Sequence, residues 1–237
     1  MRDFLAALNE RVLLCDGAMG SVVQAMDLSV ADDFMGRENC TEALVLARPD
    51  VIRGIHAQYF AAGADCVETC SFGGSPVTLA EFDLEERAFE INRRAAELAR
   101  EAADGFADGR ERFVLGSIGP GTKLPSLGHI GYDALLSAYT VQASGLIAGG
   151  ADAILIETCQ DPLQIKAAVA GARAAAEAEG RRVPVMVQVT VETTGTLLVG
   201  ADIAAAATAV QALGVESFGI NCATGPMPAS SPTKSLR

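Results

Sequence analysis

The stretch Gly149-Gly150-Ala151-Asp152-Ala153-Ile154-Leu155-Ile156-Glu157-Thr158-Cys159 decides how this chain folds. Glycines and an aspartate turn the chain, four apolar residues follow without alternation, and a carboxylate, a hydroxyl and a thiol close the run. A short continuous apolar run bounded by a glycine turn reads as a strand covered on both faces, the habit of parallel sheets. The pattern occurs once more upstream, two residues shorter, as Ala62-Gly63-Ala64-Asp65-Cys66-Val67-Glu68-Thr69-Cys70. Each copy reads as helix end, tight turn, buried strand, then polar side chains at the strand's C-terminal end.

Working outward, the strand candidates are Val12 to Cys15, Asp65 to Thr69, Phe113 to Ser117, Ala153 to Glu157, Val185 to Thr190 and Ser217 to Asn221. Between them lie helical stretches rich in alanine: Pro49 to Gly63, Glu85 to Ala103, Tyr132 to Ala148, Pro162 to Ala178 and Ala201 to Leu213. The first opens on proline and stops at glycine, the expected order of start and stop signals. Strands alternating with helices imply repeated βα units, so the expected fold is α/β, of the (β/α)8 TIM-barrel type. Six strands are counted where eight close a barrel, so the barrel is expected to be incomplete, with about six of eight units. It is read as one domain over residues 1–226. The tail 227–237, rich in Pro, Ser and Thr, is expected to be disordered.

Composition narrows the function. A net charge of -12 over 237 residues argues against a nucleic-acid surface, which needs clustered Lys and Arg. No apolar run is long enough to span a bilayer, so no membrane role is expected. The first ten residues lack a secretory signal, which points to the cytoplasm. In that setting the six cysteines are free thiols or ligands rather than a disulfide framework. Cys66 and Cys70, four apart on a strand, would stand roughly 13 Å from each other and cannot share an ion.

Candidate chemistry lies after the strands, where barrel enzymes place it. Cys15-Asp16-Gly17-Ala18-Met19-Gly20 offers a carboxylate for an amine beside close-approach backbone N–H groups for a carboxylate, the two ends of an α-amino acid. The same spacing also suits a tight turn with Asp16 capping the next helix. Glu157 closes a buried run and needs a partner, which a bound ammonium, a backbone N–H or an arginine would supply. Cys222, in Gly219-Ile220-Asn221-Cys222-Ala223, is placed for a metal, although a cysteine beside a strand is commonly a small buried hydrophobe. His56 is expected to be a surface or packing residue, and His129, in a loop, to be within reach of a ligand.

In their order and spacing these segments resemble the homocysteine-binding domain of the cobalamin-dependent methionine synthases, within the homocysteine S-methyltransferases. The likeness runs from about Leu13 to Pro226. It is carried by Asp16-Gly17-Ala18-Met19-Gly20, Arg48-Pro49-Asp50-Val51-Ile52, Ala62-Gly63-Ala64-Asp65, Glu68-Thr69-Cys70-Ser71-Phe72-Gly73-Gly74, Ile154-Leu155-Ile156-Glu157-Thr158 and Gly219-Ile220-Asn221-Cys222-Ala223-Thr224-Gly225-Pro226. The resemblance implies an enzyme that transfers a methyl group to the zinc-activated thiolate of homocysteine, giving methionine. It implies Asp16 and Glu157 on the substrate ammonium, the backbone at Gly17 and Ala18 on its carboxylate, and Cys222 as one of three zinc-binding cysteines. Cobalamin would be the methyl carrier, bound elsewhere and presented by a methyl-donor module or as free methylcobalamin. The family's other two zinc cysteines, in a Gly-Gly-Cys-Cys-Gly segment, have no counterpart here, and Cys70 stands where the family usually has Asn. Impaired turnover is therefore expected. The alternative is a non-catalytic partial barrel that self-associates or is completed by another chain.

Overall fold

A computed structural model describes residues 3–222. Helices α1 (Phe4–Glu10), α2 (Met19–Gln24), α3 (Leu44–Ala47) and α4 (Pro49–Ala62) lead into strand β1 (Cys66–Glu68). Then come α5 (Pro76–Leu79), α6 (Ala88–Asp104), β2 (Phe113–Ile118), α7 (Tyr132–Ala148) and β3 (Ala153–Cys159). Helix α8 (Pro162–Ala178), β4 (Val185–Val189), α9 (Ile203–Ala212) and β5 (Ser217–Ile220) complete the described order. The strands form one parallel sheet in the order β1-β2-β3-β4-β5, each joined to the next through a helix. This is the expected α/β architecture, a partial barrel. No helix among the described residues is long and apolar enough to cross a membrane. The expected domain boundary at residue 226 and the tail 227–237 lie outside the described residues.

Five of the six expected strands are present; the first is reduced to a single parallel bridge between Cys15 and Cys66. The reason is local. The Leu14 N–H donates to the Asp65 carboxylate at 3.0 Å rather than to a ladder carbonyl, and Arg11 grips the same carboxylate at 2.9 and 3.0 Å. Arg110 adds a further bond at 3.0 Å, and the surrounding guanidinium and N–H donors hold the Asp65 carboxyl down at about 2, well below its usual range. Val12 is left 88% exposed and Leu14 53%, and Ile220 at the β5 edge 59%.

The inner face of the sheet carries Cys66, Phe113, Leu115, Ala153, Leu155 and Met186, covered by Phe4 and Ala7 of α1, with the Phe4 and Phe113 rings edge to face. The outer face packs Ile154, Ile156, Val185 and Val187 against α7 and α8. Glycines let those helices close up. A Cβ on Gly145 would lie 2.6 Å from the Phe89 carbonyl oxygen of α6, and one on Gly171 would lie 2.9 Å from the Thr140 amide of α7. His56 is a packing residue: it is wholly buried, neither ring nitrogen has a hydrogen-bond partner among the described residues, and burial pushes its pKa down to about 4.

Candidate functional site

A cavity of about 440 Å³ opens at the C-terminal ends of the first strands, lined by Asp16, Gly17, Ala18, Glu42, Glu68, Phe72, Ser117 and Glu157 among others. The strand pleat explains which side chains reach it. Cys66 faces the inner core, so Glu68, two residues on, faces the same way at the rim. Leu115 and Leu155 place Ser117 and Glu157 likewise on β2 and β3. The structure thus brings together four of the five expected site residues: Asp16, Gly17, Ala18 and Glu157.

Asp16 does not cap α2, whose N-cap is Ala18. Both its carboxylate oxygens instead accept from the Glu68 N–H at 3.1 Å, which fixes the carboxyl across the first bridge. Burial pushes the Asp16 carboxyl up to about 7, against the pull of the Glu68 N–H and with a further push from Glu157. Glu157 is buried, accepts from Ser117 Oγ at 2.6 Å and from Asn221 Nδ2 at 3.0 Å, and is also shifted upward by its burial.

The residue after Glu157 is unusual. Thr158 has φ 58°, a left-handed conformation that costs a β-branched residue energy. Asn221 holds it from both sides: its Oδ1 accepts from the Thr158 N–H and its Nδ2 donates to Thr158 Oγ1, each at 3.0 Å. The β3–β4 register shifts at this point. The bulge lets Ile156 and Cys159, three residues apart, share the outer core while Glu157 turns inward.

Cys222 follows Asn221 at the end of β5, exposed, with its Sγ 3.9 Å from Thr158 Oγ1. The other thiols go elsewhere. Cys15 is exposed and meets Cys66 through the backbone bridge, Cys70 donates to the Thr41 carbonyl, and Cys159 lies in the outer core. Cys70 has left the face of Cys66 because β1 ends at Glu68. A catalytic zinc needs three protein ligands about one centre. Among the described residues no three His, Cys, Asp or Glu converge in that way. The described donor set does not fit the metal.

Three carboxyls of the cavity are absent from the expected set: Glu42, Glu68 and Glu81. Glu68 has its carboxyl pushed up to about 9, by burial first and then by the charges of Glu157, Asp16 and Cys15. Glu42 is buried and accepts from the Gly73 N–H at 2.5 Å. The signal for Glu68 is in the sequence, since Glu68-Thr69-Cys70 repeats the triplet that contains Glu157. Nothing in the sequence marks Glu42. His129 does not line the cavity; its Nδ1 accepts from the Leu124 N–H and pins its own loop.

Residues 13–237 match the model of a family described as homocysteine S-methyltransferase. Methionine synthase of Mycobacterium tuberculosis is 52% identical over 226 residues, and that of Mycobacterium leprae 50% identical over 225. Each match covers 94% of this chain, and the chain spans 19% of the length of either relative. Among solved structures, the homocysteine methyltransferase MmuM from Escherichia coli is similar in fold. Its apo form gives a TM-score of 0.66 at 23% identity, covering 92% of this chain and 74% of that one. Its oxidised form gives 0.64 at 20%, covering 93% and 95%.

Proposed function

We propose that this chain, which belongs to the homocysteine S-methyltransferase family, binds homocysteine in the cavity at its strand ends and presents the sulfur for methylation. The observation that supports this reading is that Asp16 and Glu157 line one cavity, whose lining among the described residues holds no Lys, Arg or His. A buried carboxyl and a half-buried one without a cation are costly in isolation. An ammonium between them supplies the missing charge and returns both to the ionised form. The backbone at Gly17 and Ala18 faces the same space and suits the carboxylate of the ligand.

Cys222, an exposed thiol past the end of its strand, is the one residue this reading offers toward zinc, and one thiol does not hold the metal. Its companion ligands are not among the described residues. A methionine-synthase activity, the name of the longer relatives, belongs to the same proposal, as do methyl transfer from a cobalamin carrier on a separate module and a cytoplasmic setting, which the resemblance and the sequence suggest. The test of the pocket is calorimetric titration under reducing conditions with homocysteine and with 4-mercaptobutanoate, which lacks the ammonium. Homocysteine should bind at least about tenfold more tightly. Equal affinities would remove the ammonium from the reading.

The second reading, a partial barrel that self-associates, is favoured by the exposed apolar side chains at both sheet edges. Concentration-dependent elution in size-exclusion chromatography is the expected result. A monomer at every concentration ends this reading.

A further inference from the structure

The cavity has an acidic surplus that one ammonium does not explain. Five carboxyls line it: Asp16, Glu42, Glu68, Glu81 and Glu157. Four have work to do inside the protein. Asp16 is held by the Glu68 N–H, Glu157 by Ser117 and Asn221, Glu42 by Gly73, and Glu81 by Thr122. The Glu68 carboxyl alone makes no hydrogen bond within the described residues, although its backbone and its neighbours are fixed. In strand order it stands between Asp16 and Ser117, with Glu157 one strand further on.

A zwitterionic amino acid entering this space meets a difficulty at its other end. Its ammonium is matched by Asp16 and Glu157 and its carboxylate by the backbone at Gly17 and Ala18, yet no cationic side chain lines the cavity to balance that carboxylate against the acids around it. An ionised Glu68 would repel it. A neutral Glu68 would offer an O–H, and an acid–carboxylate hydrogen bond is among the stronger kinds. The titratable groups that face Glu68 are Asp16 and Cys15 from the segment before α2 and Glu157 from β3; all are acidic, and together with burial they disfavour its ionisation.

We propose that Glu68 donates its carboxyl O–H to the carboxylate of the bound amino acid, and so selects a zwitterion over a simple amine. The assignment rests on the amino-acid reading above and adds a specificity-determining contact to it. Glu68→Gln keeps a neutral donor and Glu68→Ala removes it.

The experiment is calorimetric titration of the reduced wild-type chain and both variants with homocysteine and with 3-aminopropane-1-thiol, which lacks the carboxylate. Glu68→Ala should bind homocysteine about tenfold more weakly and the amine thiol no more weakly than wild type, while Glu68→Gln stays within about threefold for both. With Glu68 titrating at about 9, its neutral fraction falls to roughly a quarter by pH 9.5. The ratio of Glu68→Gln to wild-type affinity for homocysteine should therefore rise about fourfold from pH 7 to 9.5, ligand titration cancelling in the ratio. If Glu68→Ala loses affinity equally for both thiols, or the Gln ratio stays flat with pH, the assignment is wrong and the amino-acid pocket stands. If wild type binds neither thiol, the pocket falls and this contact falls with it.

Discussion

Glu157→Ala is expected to weaken homocysteine binding by about a hundredfold, near 3 kcal/mol, in calorimetric titration at neutral pH. Two losses combine. The ligand ammonium loses a buried counter-charge, and truncating one member of a buried, hydrogen-bonded charge pair commonly costs about 2–5 kcal/mol. Ser117 Oγ and Asn221 Nδ2 also lose the acceptors they hold at 2.6 and 3.0 Å. Glu157→Gln should recover little, because its amide can still meet Ser117 and Asn221 but carries no charge for the ammonium. A smaller effect, within about threefold, in an alanine variant with an unchanged circular dichroism spectrum would show that the ammonium is held elsewhere.

The largest effect on folding is expected at Gly149, just after α7 ends. A Cβ there would overlap the Arg93 carbonyl oxygen and lie 2.7 Å from the Ala96 Cβ of α6. Both belong to α6, its backbone and its packed face, and leave nothing flexible to yield. Gly149→Ala should therefore cost about 3 kcal/mol, at the upper end for overpacking. For a chain of this size that lowers Tm by about 6–12 °C, measurable by thermal denaturation. Gly150→Ala, the neighbouring control, meets no atom within 4 Å but has φ 95°, so its cost comes from backbone conformation alone and should be nearer about 1 kcal/mol. Equal melting of Gly149→Ala and wild type would mean that α6 and α7 sit further apart than described.

Much of this architecture is legible in the sequence because it rests on long periodic segments. Helices α7 and α8 fall at the expected residues, the second opened by the Asp161 side chain on the Leu163 N–H and by Pro162. The run expected from Glu85 begins as a 3-10 turn over Glu85–Arg87 before α6 proper. Helices α1, α2, α3 and α5 are four to seven residues long, too short for an apolar period to declare itself. Val12 to Cys15 has the composition of a strand but not its pairing, since Asp65 takes the N–H a ladder would use. At the site, Asp16 and Glu157 are readable because a carboxylate beside glycines or closing an apolar run is conspicuous. Asn221 is not, because its importance lies in three hydrogen bonds to a residue pair more than sixty positions away.

That asparagine joins the two halves of the site in one rigid linkage. Its side chain touches Glu157 and Thr158 while its backbone leads directly into Cys222. The proposed amino-acid end and Cys222 are therefore joined through a single amide. A displacement of one is delivered to the other, and neither can be retuned by evolution or by design without re-setting its counterpart.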